Sequence, residues 1–294
     1  MNILIVGVKN NPQLDRLVEE GEKRGHKVTG CLSSELTIIA QNDKFEATLR
    51  EKPLTEYDLF YLWAYSKRRW EWLTALDYLK RKNKFVVVNQ KVLDPSYLYL
   101  LSPAADYLKQ YDDKLPFPKS AILSSPKSVS SVLSNFEFPL IVKRAAGRQG
   151  KGVFKVESKE GLIKSLEDLP QGNPNFVIRE FIPNDGDIRV FTVGYKAIGA
   201  MKRTPKEGDF RSNISQGGSG AKFDLESNPE VRKLAEHLSE VTRTEVAGVD
   251  IILHSKTKKP YILEINPGPQ FTGFEEYTGG NAAGEIIKYF ETLL

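Results

Sequence analysis

The sequence predicts an α/β chain: a parallel, doubly wound sheet at the N-terminus, followed by an α+β region built on antiparallel strands. Three observations carry this reading. All-apolar strands alternate with amphipathic helices up to residue 92, the later strands read as antiparallel, and two of them, "VAGVDIILHS" and "KPYILEINPG", carry acids inside apolar runs. Uninterrupted apolar strands belong to sheets covered on both faces, and alternating β and α elements argue for parallel pairing.

The first strand is "NILIVGV". A helix follows in "NPQLDRLVEEGEKRG", with Pro12 near its start and Gly25 at its end. "HKVTGC" and "YDLFYLW" are further strands, then come a helix through "WLTALDYLKRK" and the strand "FVVVNQ". The turn after the first strand reads "GVKNNP", so the GxGxxG dinucleotide fingerprint is absent. Beyond a Pro-marked connector lie the strand "KSAILS" and a helix "SPKSVSSVLSNF" with Ser125 as its cap. The segment "FPLIVKRAAGRQGKGVFKVES" reads as two strands around a loop. After it come a helix around "GLIKSLEDL" and the strands "NFVIREFI", "DIRVFTVG" and "KAIGAMKRT". A long polar loop leads to one helix, "NPEVRKLAEHLSEVTR", whose Val231, Leu234, Ala235, Leu238 and Val241 form an apolar stripe.

At 294 residues, 40% hydrophobic and 27% charged, the composition is that of an ordinary globular chain. A net charge of +4 gives no argument for nucleic-acid binding. The single cysteine, Cys31, leaves no internal disulfide and no zinc spacing, and the N-terminal apolar run is too short for a signal peptide or membrane span. A cytoplasmic protein is expected. His26, His237 and His254 form no ligand pair, and there is no GxSxG elbow, which argues against zinc and nucleophilic catalysis. The stretch "YSKRRWEWL" interleaves basic residues with Trp70 and Trp72 and reads as a loop entering a basic helix face.

The short polar link "KTKK" makes a hairpin of the two acid-bearing strands and brings Asp250, Glu264 and Asn266 together. Side chains two apart on a strand share a face, so this face is either simply wet or a set of hard oxygen donors suited to Mg2+. The loop with Gly147, Gly150 and Gly152 fails the Walker pattern, because Gly152 follows Lys151 and a strand continues. It reads equally as a hairpin turn or as a backbone cradle for phosphate. Lys143 ends an apolar strand run and is costly to bury unless an anion meets it. With Asp187 and Arg189 on one strand face, and Arg203, Arg211 and Asn213 downstream, these residues suggest a phosphate-plus-metal site.

The ordered set "IVKRAAGRQGKGV", "REFI", "DIRVFTVG", "EGDFRSN", "AGVDII" and "LEINPGP" resembles the ATP-grasp superfamily, and within it the RimK-like glutamate ligases, related to glutathione synthetase and the lysine-biosynthesis ligase. The resemblance covers about residues 95–290. It implies a Rossmann-like pre-ATP-grasp domain (1–92) before an ATP-grasp fold of two α+β subdomains. The central one (93–180) would carry the glycine-rich phosphate loop, and the C-terminal one (181–294) the metal site. By the same resemblance Lys143 binds the α- and β-phosphates of ATP under the loop Gly147–Gly152. Glu180, Phe181 and Ile182 form the hinge for adenine, and Asp187 reaches the ribose. Arg203 and Arg211 hold the γ-phosphate and an acyl phosphate, Asn213 orients substrate or phosphate, and Asp250, Glu264 and Asn266 coordinate Mg2+ (or Mn2+). The implied activity is ADP-forming carbon–nitrogen ligation, joining an amino acid such as glutamate to a carboxylate on a peptide or metabolite. No membrane or nucleic-acid partner is implied, and a homo-oligomer is left open. A phosphotransferase and a nucleotide-binding pseudoenzyme are the alternatives.

Three departures from the family pattern stand out. Tyr107 follows Asp106 where the superfamily usually has a phosphate-binding lysine, so that role falls to Lys109 or is lost. Arg179 stands where glutamine is common before the hinge, and "NPGPQFTGFEEYTGG" replaces the usual acceptor-loop form.

Overall fold

The computed structural model describes residues 1–7, 11–65, 68–82, 85–94, 103–144, 152–168, 175–212 and 217–293. Its first part runs β1 (Asn2–Gly7), α1 (Pro12–Lys23), β2 (Lys27–Leu32), β3 (Leu36–Ala40), β4 (Phe45–Leu49), β5 (Lys52–Pro53), β6 (Leu59–Tyr61), α2 (Arg69–Lys80) and β7 (Val86–Val88). β1 pairs in parallel with β2 and β6, and β6 with β7, giving the order β2-β1-β6-β7. Asn11 caps α1, its side chain accepting from Gln13 N at 3.0 Å. Residues 33–56, for which the sequence suggested no element, fold into the antiparallel sheet β3-β4-β5. Its Leu36, Ala47 and Leu49 join Trp72 and Leu76 of α2 over one face of the parallel sheet. Cys31 is buried there, and burial pushes its thiol up to about 12.

The middle of the chain runs α3 (Pro103–Asp112), β8 (Ser120–Leu123), α4 (Val129–Leu133), β9 (Leu140–Arg144), β10 (Val153–Val156), α5 (Lys159–Glu167) and β11 (Phe176–Glu180). The strands form an antiparallel sheet in the order β10-β9-β11-β8. α3 occupies part of what reads in sequence as a bare connector. α4 is shorter than the helix expected over 125–136. Ser125 caps a 3-10 turn, accepting from Lys127 N at 3.3 Å, and the serine-rich segment sustains only one further turn of α-helix.

The last part runs β12 (Asp187–Val193), β13 (Lys196–Thr204), β14 (Ser219–Lys222), α6 (Pro229–Val241), β15 (Val246–Leu253), β16 (Pro260–Asn266), α7 (Thr272–Thr278) and α8 (Ala282–Glu291). Its antiparallel sheet is ordered β14-β13-β12-β15-β16. α6 lays its apolar stripe on one face, against Ile188, Val190, Val249 and Ile251. α7 and α8 are additional to the one helix expected in this third. α8 returns to the beginning of the chain, where Ile286, Ile287 and Phe290 share a core with Ile3, Ile5, Leu17 and Tyr61. Phe191 and Val246 of the C-terminal sheet enter the same core. The second face of that sheet is therefore divided: one end is apolar and covered by the N-terminal elements, and the other is charged.

Among the described residues no helix is long and apolar enough to cross a membrane.

Candidate active site

Strand register builds the charged end. Asp187 lies opposite Arg203 on β13, Arg189 opposite Asp250 on β15, and Asp250 opposite Glu264 on β16. Because side chains alternate along a strand, these cross-strand neighbours all emerge on one face. Arg189 clasps Asp250 with both Nε and Nη2 at 2.7 Å. Arg203 clasps Asp187 at 2.6 and 2.7 Å and also reaches Asp250 at 2.9 Å. Burial works to raise the Asp250 carboxyl, but the two guanidiniums outweigh it and hold it well below the usual range. Asp187 is pushed up, by burial first and by the charge of Asp250 as well, against the pull of Arg203.

Facing this sheet across a cleft of about 190 Å³ is the central sheet. Lys143, on β9, points its Nζ to 3.4 Å from Glu264 Oε2. The Glu264 side chain is 45% exposed into the cleft. Burial opposes its ionisation, but Lys143, Arg189 and the Asn266 hydrogen bond together outweigh it and the carboxyl is lowered. Glu180, Phe181 and Ile182 line the cleft where the chain leaves the central sheet. There Phe181 N–H donates to Pro139 O at 3.3 Å, the Ile182 carbonyl accepts from Asn184 Nδ2 at 2.7 Å, and Lys155 Nζ stands 4.4 Å over the Phe181 ring. Arg211 also lines the cleft and grips Asp209 through Nε and Nη2 at 2.8–3.1 Å. That contact holds the Asp209 carboxyl down, to about 2.

The fold thus gathers Lys143, Glu180, Phe181, Ile182, Asp187, Arg203, Arg211, Asp250 and Glu264 around one cavity. Gly152, in the turn just before β10, has a left-handed φ of 70°, a conformation that favours glycine, while Gly147, Gly150 and Asn213 lie outside the described residues. Asn266, beside Glu264, donates its Nδ2 to Glu264 Oε1 at 3.3 Å and to Gly248 O at 3.4 Å. Its amide oxygen and the second lone pairs of the Glu264 oxygens remain as hard donors next to Asp250. This set fits a cation of the Mg2+ kind, which takes one or two carboxylates and fills its shell from water and phosphate. Among the described residues no group of three or more His, Cys, Asp or Glu could hold a metal ion, and the candidate set here is two carboxylates and one amide.

Two residues matter more than the sequence suggested. Arg189 was visible at the right spacing from Asp187, but its partner Asp250 depends on the β12–β15 register. Arg179, on β11, lines the cleft and is 5% exposed. It donates to Tyr107 Oη at 2.5 Å, to Leu263 O at 3.1 Å and to Ser120 Oγ at 3.2 Å. Leu263 is the extra residue where the β15–β16 register shifts, and such bulges leave one residue out of the ladder. Lys109 does not line the cleft.

Two antiparallel sheets closing on a charged cleft, behind a parallel α/β domain, define an ATP-grasp protein. The structure of ATP-grasp ligase PsnB complexed with a phosphomimetic variant of its minimal precursor, Mg and ADP matches with a TM-score of 0.74 over 99% of this chain and 97% of that one, at 17% identity, a likeness of fold. The RimK-like ATP-grasp domain is matched over residues 105–290, and the chain belongs to that family. A probable alpha-L-glutamate ligase from Legionella pneumophila (strain Corby) is 34% identical over 180 residues, 60% of this chain and 58% of that protein's length. The probable alpha-L-glutamate ligase of Stutzerimonas stutzeri (strain A1501) is 30% identical over 298 residues, 98% of this chain and 95% of that protein.

Proposed function

We propose that the protein is an ATP-dependent, ADP-forming carboxylate–amine ligase that works through an acyl phosphate. The observation that carries this is the meeting of Lys143, Arg203 and Arg211 with the carboxylates of Asp250 and Glu264 in one cleft between two sheets. Cations alone would suit any anion. Cations beside hard oxygen donors suit a nucleotide triphosphate whose terminal phosphate is transferred.

In this reading residues 180–182 receive the adenine, and Lys143 turns from Glu264 to the nucleotide phosphates. Arg203, oriented by Asp187, and Arg211 face the transferring group. A substrate carboxylate oxygen attacks the γ-phosphorus, the bond to the ADP oxygen breaks, and an acyl phosphate forms. An amine nitrogen then attacks the acyl carbon, inorganic phosphate leaves, and the amine gives up a proton. The guanidiniums stabilise charge on the transferring oxygens, and the acyl phosphate forms between the two sheets, where their walls limit its contact with water. A divalent cation on Asp250, Glu264 and Asn266 would supply further neutralisation of phosphate charge. The relatives named as probable alpha-L-glutamate ligases support glutamate or a similar acidic amino acid as the amine, and the acceptor in this reading is a carboxylate on a peptide or metabolite.

The test is product analysis with ATP, Mg2+ and a panel of amino acids and acidic peptides. ADP, phosphate release that depends on the amine, and an added glutamyl mass on the acceptor are expected. AMP and pyrophosphate would mean adenylation and overturn the mechanism. Phosphate retained on the acceptor would make the protein a phosphotransferase, and no turnover with any pair would favour a pseudoenzyme.

A further inference from the structure

Arg179 differs from Arg189, Arg203 and Arg211 in what neutralises it. Arg189 and Arg203 are matched by Asp250 and Asp187, and Arg211 by Asp209. Arg179 is as deeply buried as Arg203, yet among the described residues its hydrogen bonds go to uncharged acceptors only: a phenol, a serine hydroxyl and a backbone carbonyl. A guanidinium out of water needs an anion to offset its lost hydration, and here the protein supplies oriented neutral oxygens instead. Those oxygens fix its position. Tyr107 accepts one N–H from Arg179 while its own ring stacks on Phe117 at 5.6 Å, and the guanidinium lies 5.7 Å over the Tyr107 ring. The result is an immobilised cation at the wall of a cleft.

Register says what it meets. Lys143 is opposite Val177 on β11, and Arg179 is two residues further along that strand, so the two side chains lie diagonally on one face of the central sheet. Arg179 is also the residue immediately before the hinge at Glu180. An anion touching both Lys143 and Arg179 is therefore the one nearest the hinge, and if the hinge receives a nucleoside, that anion is its first phosphate. Resting on the nucleotide reading above, we propose that Arg179, held by Tyr107, is a specificity residue that binds the α-phosphate of the nucleotide, forming with Lys143 a two-cation clamp. The guanidinium offers paired N–H donors to a phosphate, which the neutral amide of glutamine at this place could not match in charge.

Titration calorimetry of adenosine, AMP, ADP and ATP, each with Mg2+, tests this on wild type, Arg179→Gln, Arg179→Lys and Tyr107→Phe. Arg179→Gln is expected to weaken AMP, ADP and ATP alike, by about tenfold or more, with adenosine unchanged. Arg179→Lys should recover part of that loss, and Tyr107→Phe should show a smaller loss with the same selectivity. Equal weakening of adenosine would show that Arg179 only shapes the pocket. Weakening of ADP and ATP without AMP would put it on a later phosphate. No change would leave it a structural residue. Any of the three overturns the proposal while leaving nucleotide binding intact, whereas wild-type protein that binds none of the nucleotides overturns the ligase reading itself.

Discussion

Lys143 Nζ lies 3.4 Å from Glu264 Oε2, a cation of the central sheet facing a carboxylate of the C-terminal sheet. The pair joins two sheets whose hydrogen-bond ladders are separate, and both partners keep contact with the cleft. With a lysine side chain 24% exposed and a carboxylate 45% exposed, the contact is too wet to hold the sheets together by itself. Its value is as an exchangeable pair, in which each group stands ready for a ligand of the opposite charge.

Glu264→Ala should therefore lower turnover by at least about 100-fold, through a weakened hold on the divalent cation that would neutralise phosphate charge, while the thermal midpoint stays close to wild type. Steady-state assays across an Mg2+ series, run beside a melting curve, check this. Wild-type activity at limiting Mg2+ would mean that the face is merely wet.

Arg203→Met should behave in the opposite way in stability. It leaves Asp187 and Asp250 buried with one guanidinium fewer, at a cost of about 3–5 kcal/mol, which urea denaturation would register. Arg211→Ala, in a more open loop whose only described carboxylate partner is Asp209, should lose activity with little change in the same denaturation curve. Equal destabilisation by both would contradict the division drawn here between buried framework and cleft surface.

Gly268 approaches the N-terminal domain so closely that a β-carbon there would stand 2.3 Å from the Trp63 carbonyl oxygen. The same loop accepts a hydrogen bond from Trp63 Nε1 at Pro269 O, 3.1 Å away, and Phe271 N–H donates to the Gln13 side chain. Gly268→Ala is expected to cost about 1–3 kcal/mol by displacing backbone rather than a pliable side chain. If this loop shapes the acceptor site, the KM for the acceptor should rise while that for ATP does not. Unchanged stability would show that the loop has another place to go.

Cys31 adds a pH dependence of known sign. Its thiol is raised by burial from 9.0 to about 12, so the stability it contributes is fully present below pH 9 and is lost as the pH rises toward 12. Relative to Cys31→Ala, wild type should lose about 1 kcal/mol between pH 7 and pH 10. A thiol reagent at pH 8 should react with native protein only as fast as the core opens. Rapid labelling of folded protein would contradict the burial.

The hairpin that pairs Asp250 with Glu264 was legible because strand alternation and a short turn are local properties of a few residues, and so was the apolar stripe of α6. The β1–α1–β2 start was equally plain, since its strand is apolar throughout. The sheet over residues 36–53 was not, because β5 is two residues long and exposed, β3 leaves Thr37, Ile39 and Ala40 exposed, and β4 buries only Ala47 and Leu49, which blunts any apolar pattern. The return of α8 to α1 was also hidden: an amphipathic helix announces that it has an apolar face but not which of several apolar surfaces covers it. The sequence by itself determined which residues carry charge on strands and which strands could pair locally. Only the tertiary structure decided who meets whom: Arg189 with Asp250 through register, Lys143 with Glu264 across two sheets, and Arg179 with Tyr107 over 72 residues of chain. The physical reason is that charge and hydrogen-bonding capacity belong to single side chains, whereas burial and partnership belong to pairs brought together by packing, and packing depends on the whole chain at once.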